Sequence, residues 1–229
     1  MIKGIIFDID GILIDSEPLH ATALVESIKI IADKSIEFQP ENLIGLSLDD
    51  TLESLGVHKE RTNELKEIMA KYYLEHLHKS MLRPGIQELW QNLITQDIPF
   101  GCVSSSEMKI CTGNIKMIDL PFFKEIPIIS CECVSHTKPH PIPYIKMMER
   151  LGLAVDEVVV LEDSDVGITS AKAAGIENIY AWPHGLSKSQ SYKDAKEVIS
   201  NIQEVPFIRN ILMFAKMPFL SKPLKEGAR

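Results

Sequence analysis

The chain is poor in cysteine, has no long apolar run and carries fewer cations than anions: four Cys, and 24 Lys+Arg against 32 Asp+Glu in 229 residues. Each shortage excludes something. No stretch approaches the ~18–20 apolar residues of a membrane span. The greasy run at the amino terminus is too short, and too soon broken by Asp8 and Asp10, for a secretion signal. Four thiols fit a reducing cytosol, so a cytoplasmic setting is expected. Cys131-Glu132-Cys133 lacks the two-residue gap of a zinc knuckle, and no second Cys or His pair stands at finger spacing. A net charge of −8 argues against a broad nucleic-acid face, which needs clustered Lys and Arg. The acidity is uneven: residues 205–229 hold Arg209, Lys216, Lys222, Lys225 and Arg229 against Glu226 alone, leaving about −12 on the rest. Internal repeats and low-complexity tracts are also missing.

What is present suits one sizeable α/β core, or a core with a smaller lobe, at 45% apolar content. Two greasy runs end in paired acids: Gly4-Ile5-Ile6-Phe7-Asp8-Ile9-Asp10-Gly11, and Val158-Val159-Val160-Leu161-Glu162-Asp163. As parallel strands they would bring four carboxylates to one rim, the carboxyl ends where open α/β folds bind ligands. Acids gathered there repel unless a cation sits among them, and a hard dication such as magnesium fits. The alternative is that they cap the helices that follow. Asp163 before Ser164 could do that alone, whereas Gly11-Ile12-Leu13-Ile14 after Asp8 and Asp10 reads as extended or loop-like.

The periodicity predicts a buried strand over 3–8, then helix only from Glu17 to about Lys79. Pro18 suits a first turn behind Asp15 or Ser16, with Leu24, Ile28, Ile31 and Ala32 at helical spacing. A second helix is expected near 48–55. A third, over 59–79, carries a stripe of Leu65, Ile68, Met69, Tyr72 and Tyr73. After Arg83-Pro84-Gly85 the elements alternate: helices over 85–96, 107–118, 141–151, 165–174 and 188–200, and strands over 98–104, 126–130, 157–162 and 178–182. Such alternation implies a parallel sheet wrapped by helices, with the helical block inserted after the first strand as a lobe above the acids. Pro206 could start a last helix with Ile208, Ile211, Leu212, Ala215 and Phe219 on one face. That face could pack on the sheet, offer a docking surface or touch a membrane surface.

Four segments, Asp8-Ile9-Asp10-Gly11, Val103-Ser104-Ser105-Ser106, Lys138-Pro139-His140-Pro141 and Leu161-Glu162-Asp163-Ser164, resemble in order and spacing the motifs of the haloacid dehalogenase superfamily. Asp15-Ser16-Glu17-Pro18-Leu19-His20, Arg83-Pro84-Gly85 and Glu162-Asp163-Ser164-Asp165-Val166-Gly167-Ile168 resemble its beta-phosphoglucomutase-like branch. The resemblance spans about residues 1–200. It implies an α/β fold: a Rossmann-like parallel sheet flanked by helices (1–15 and 83–204), an inserted all-α cap domain (16–82) and a tail at 205–229.

The resemblance also assigns roles. Asp8 would be the nucleophile that forms an aspartyl-phosphate, and Asp10 the acid and base beside it. Ser104, Ser105, Lys138 and Gly11 would hold phosphate. Asp8, Asp10 (through its carbonyl), Glu162 and Asp163 would hold Mg2+, and His20 at the hinge would touch substrate or tune the acid. The implied partner is a small phosphomonoester, such as a sugar phosphate, with no nucleic acid and no membrane span, and the tail is a possible docking surface.

The chain departs from the pattern at Ile12 (commonly Thr or Val), Ile142 (commonly Asp) and in Leu43-Ile44-Gly45-Leu46-Ser47-Leu48. There, sugar-phosphate mutases place a Lys before the Gly and an Arg after the Ser to hold a second phosphate; this chain has Ile44 and Leu48, then Asp49 and Asp50. Two lost charge-assisted contacts, at about 1.5–3 kcal/mol each, disfavour a bisphosphate. The resemblance therefore implies a phosphatase first, a phosphomutase second, and a non-catalytic phosphate-binding protein third.

Overall fold

The computed structural model describes residues 1–32, 47–55, 61–121 and 125–215. The first strand, β1 (Gly4–Asp8), is buried along its whole length. Three helices follow: α1 (Glu17–Ala32), α2 (Leu48–Ser54) and α3 (Thr62–His76). Ser47 caps α2, its hydroxyl accepting from the Asp50 amide. Leu19, Ala23, Leu24 and Ile28 of α1, Leu52 of α2, and Leu65, Met69, Ala70 and Tyr73 of α3 bury one another in one cluster together with Ile110 from later in the chain.

After α3 the chain alternates: α4 (Ile86–Thr95), β2 (Phe100–Val103), α5 (Met108–Lys116), β3 (Ile128–Ile129), α6 (Ile142–Leu151), β4 (Val158–Glu162), α7 (Asp165–Ala173), β5 (Ile179–Ala181), β6 (Glu197–Val198) and α8 (Pro206–Ala215). The six strands form one parallel sheet in the order β3-β2-β1-β4-β5-β6. Alternate side chains go to opposite faces, as a pleated strand requires. Ile5, Phe7, Cys102, Val159, Leu161 and Tyr180 meet α4, α5 and α8, while Ile6, Val103, Val158, Val160, Ile179 and Ala181 meet α6 and α7. Because connections leave β1 and β4 toward opposite sheet edges, a crevice opens between those neighbours at their carboxyl ends. Register pairs Asp8 with Val103, Phe7 with Leu161 and Glu162 with Ala181, so the acid-bearing ends reach one rim.

One expected helix is absent. Residues 188–200 form a short 3-10 turn and the edge strand β6. The Asp165 carboxylate accepts from the Ser191 and Tyr192 amides, at 2.8 and 2.7 Å, and so takes donors that a helix there would need. Helix α8 buries Ile208, Ile211 and Leu212 against α4 and the sheet, and its Met213 and Phe214 face outward. Phe219 and the rest of the tail from 216 lie outside the described residues, as do Leu43, Ile44, Gly45 and Leu46. No helix of the described residues is long and apolar enough to cross a membrane.

Candidate active site

Asp8 ends β1 with its side chain buried against Lys138, whose ammonium donates to Asp8 Oδ1 at 2.5 Å, to Glu162 Oε1 at 2.6 Å and to the Val103 carbonyl at 3.2 Å. Burial pushes the Asp8 carboxyl well up; Lys138 opposes this, and Glu162, Asp163 and Asp10 add to it. Burial works the other way on Lys138, yet Asp8 and Glu162 outweigh it and hold the ammonium charged.

Glu162 is fully buried, and each of its oxygens has two donors: Lys138 and Tyr144 on Oε1 (2.6 and 2.5 Å), the Asp163 amide and Ser164 hydroxyl on Oε2 (3.1 and 3.2 Å). A Cβ at Gly167 would lie 1.9 Å from Oε1, so the glycine lets α7 pass this close. Glu162 is thereby built to aim Lys138. Asp163 accepts from His184 Nε2 at 2.8 Å on Oδ2. Burial raises its carboxyl as well, against the pull of His184.

The metal fit can be judged from these donors. One oxygen each of Asp8, Glu162 and Asp163 lie within 4.8 Å of one another, all three residues buried. Neither Asp8 Oδ2 nor Asp163 Oδ1 takes a hydrogen bond from a described residue. Hard carboxylate oxygens this close, with a single ammonium for three negative groups, suit a small dication. Asp8 and Asp163 fit as ligands better than Glu162, whose four donors already occupy it.

The Asp10 carboxylate turns away from that trio. Its Oδ1 accepts from Ser16 (3.0 Å), His20 (2.9 Å) and Asn114 (3.0 Å), and its Oδ2 from Ser104 (3.0 Å) and Ser106 (2.9 Å). Burial alone would raise this carboxyl, but the His20 imidazole and the hydroxyl donors hold it well below the usual carboxylate range. His20 is lifted in turn: its burial is outweighed by Asp10. The sequence anticipated Ser104 as a phosphate ligand; here its hydroxyl donates to Asp10 and accepts from the Ser106 amide. Ser105 lines the same cavity.

Gly11, expected as a phosphate contact, stands in the turn after β1. Its amide donates to the Ile14 carbonyl at 2.8 Å, and it does not line the cavity. Its φ is +81°, and a Cβ there would lie 2.3 Å from Asp163 Oδ2. Only a glycine lets the loop after β1 pass Asp163. Arg83 fixes that loop by donating to the Gly11, Trp182 and Pro183 carbonyls at 2.5, 2.8 and 2.9 Å, with its guanidinium 3.5 Å above the Trp182 ring.

A cavity of about 100 Å³ opens over Asp8, Asp10, Ser104, Lys138 and Asp163. Its far wall comes from α1, α2 and α3: Leu24, Leu48, Met69 and Tyr73 among the apolar members, Glu17 and Lys66 among the charged. Lys66 pairs with Asp49 at 2.7 Å. Glu17 has no hydrogen-bond or ion-pair partner among the described residues, and burial together with Asp163 and Asp10 pushes its carboxyl up to about 7 despite His20.

Sequence reading missed Asn114, Tyr144, His184, Lys66 and the buried role of Tyr73. Asn114 left a trace, since it shares a helical face with Ile110, Cys111 and Ile115 where only apolar residues are expected. The others left none.

The sheet's switch point thus gathers a buried lysine and three close, buried carboxylates. Residues 5–181 match the family model described as haloacid dehalogenase-like hydrolase, and the chain belongs to that family. It is an enzyme of the phosphatase kind. Among curated relatives, it is 26% identical over 226 residues to a phosphorylated carbohydrates phosphatase of Thermotoga maritima, covering 89% of this chain and 99% of that one. Among solved structures, it resembles CbbY of Rhodobacter sphaeroides in complex with phosphate (TM-score 0.77, 21% identity, 87% of this chain and 94% of that one). It also resembles beta-phosphoglucomutase of Clostridium difficile (TM-score 0.74, 19% identity, 94% and 99%).

Proposed function

We propose that the chain is a magnesium-dependent phosphatase acting on a small, hydroxyl-bearing phosphomonoester through an aspartyl-phosphate on Asp8. We read residues 16–82 as a cap closing over a core of 1–15 and 83–204. The observation that carries the reading is the pair of carboxylates, Asp8 and Asp163, with an oxygen of each within 4.8 Å of the other, in the lining of a cavity that Lys138 and Ser104 also line.

Asp8 and Asp163, with the Asp10 carbonyl, would hold magnesium, which supplies charge neutralisation for the phosphoryl oxygens. Asp8 attacks phosphorus and the ester P–O bond breaks. The departing alkoxide takes a proton from the Asp10–His20 pair, whose members lie 2.9 Å apart. Water then attacks the same phosphorus, Asp10 accepts the water's proton, and inorganic phosphate leaves Asp8 free. Throughout, Glu162 keeps the Lys138 charge against Asp8 and the transferring group.

Two features of the far wall support the substrate class. Glu17 has no donor among the described residues, and a substrate hydroxyl would supply one. Leu48 faces the cavity and Lys66 is paired, so the wall offers a second phosphate no unpaired lysine or arginine among the described residues. The name of the Thermotoga relative points the same way. The deciding experiment is a panel of sugar and polyol monophosphates scored by released phosphate, with D8N and excess chelator as controls. Release that depends on Asp8 and magnesium supports the reading; full activity in D8N or in chelator defeats it.

A further inference from the structure

Asn114 is wholly buried, a polar side chain on the inward face of α5 between Ile110, Cys111 and Ile115. Both ends of its amide are engaged. The Tyr73 hydroxyl donates to Asn114 Oδ1 at 2.7 Å, and Asn114 Nδ2 donates to Asp10 Oδ1 at 3.0 Å. Tyr73 is buried too, comes from α3 on the opposite wall, and stacks on His20 with ring centroids 4.3 Å apart and planes at 24°. His20 reaches the same Asp10 oxygen.

We propose that Tyr73 and Asn114 are positioning residues that hold the Asp10 carboxylate for proton transfer, so that Asp10 is aligned only while α3 is seated against α5. The inference rests on the acid role of Asp10 proposed above. Its physical ground is the two-fold ambiguity of an amide. A buried Asn can present either its NH2 or its oxygen to a neighbour, and an oxygen facing a carboxylate is repelled. The Tyr73 hydroxyl, a donor held neutral by burial, removes the ambiguity: it claims the oxygen, so the NH2 must face Asp10. A purely structural asparagine would not need a partner from another helix layer to choose its orientation, nor would it end on a reacting group. The geometry also makes the relay conditional. If α3 moves away, Asn114 loses its orienting donor and His20 loses the ring it stacks on, and two of the three contacts to Asp10 Oδ1 loosen together.

Leaving-group dependence tests this. The kcat/KM value covers steps only up to phosphoenzyme formation, where an alkyl phosphate needs a proton and p-nitrophenyl phosphate, with its weakly basic leaving group, scarcely does. The full chain, Y73F, N114L, the double variant and D10N are compared in saturating magnesium, with β-glycerophosphate and p-nitrophenyl phosphate as substrates. The alkyl-to-aryl ratio of kcat/KM is expected to fall about tenfold or more in N114L and about threefold or more in Y73F. The double variant should match N114L, because the hydroxyl acts only through the amide. Equal losses on both substrates, an unchanged ratio, or additive effects overturn the relay while D10N still collapses the ratio. An unchanged ratio in D10N overturns the acid role of Asp10 and the relay with it. Should N114L fail to fold, Y73F decides alone, since it keeps the ring and its stacking on His20.

Discussion

Glu162 holds Lys138: a fully buried carboxylate, itself braced by Tyr144 and Ser164, keeps the ammonium 2.6 Å away and presents it to Asp8 at 2.5 Å. The residue that places the lysine is also one of the three close, buried acids. Removing the Glu162 charge leaves the buried ammonium with Asp8 as its one carboxylate partner among the described residues. E162Q keeps the shape but loses the charge. It is expected to lower kcat at least tenfold while leaving the magnesium concentration for half-maximal activity within about threefold of the parent. A large rise in that concentration with kcat preserved would return Glu162 to the metal's coordination shell.

Gly11 gives a steric prediction. G11A forces a Cβ to within 2.3 Å of Asp163 Oδ2 at a backbone φ of +81°. The strain amounts to about 1–3 kcal/mol, and Asp163 or the loop must shift. We expect a lower melting temperature and at least a tenfold higher magnesium requirement, measured by melts and by activity against magnesium concentration. Parent-like values in both would show that the loop relaxes freely.

Glu17 sets a pH dependence of stability. Its folded-state carboxyl is pushed up to about 7, above the ordinary value near 4.5. Between those values the folded state binds the proton and the unfolded state does not, so this group's contribution is present below about pH 4.5 and is lost as pH rises through about 7. E17Q removes the penalty. In chelator, its melting temperature relative to the parent should rise between pH 5 and pH 8; a constant difference would place Glu17 in water.

Magnesium should stabilise the folded chain by binding it alone. A ligand at 100 times its Kd contributes about 2.7 kcal/mol. Melts with and without magnesium are expected to differ by several degrees in the parent and hardly at all in D163A. Equal shifts in both would put the ion elsewhere.

The alternating strands were legible because burial on both faces of a parallel sheet leaves unbroken runs such as Val158-Val159-Val160-Leu161. The edge strand β6 was not. Its Glu197 and Val198 are exposed, so no apolar run marks them, and the amide acceptor that diverts 191–192 from helix is Asp165, 26 residues upstream. The same division holds in the site. Asp8, Asp10, Lys138, Glu162 and Asp163 stand in local motifs, whereas Tyr73 and Asn114 are 41 residues apart and had no motif to announce them.

The sequence by itself determined which acids end which strands, because a buried strand's length and the carboxylates at its tip are local and adjacent in the chain. Tertiary structure alone decided what each acid meets. Asp8 and Asp163 line the cavity, Glu162 turns to Lys138, and Asp10 turns to five donors from three separate stretches of chain. A carboxylate's role follows from the donors and charges around it, and those come from residues that only folding brings within 3 Å.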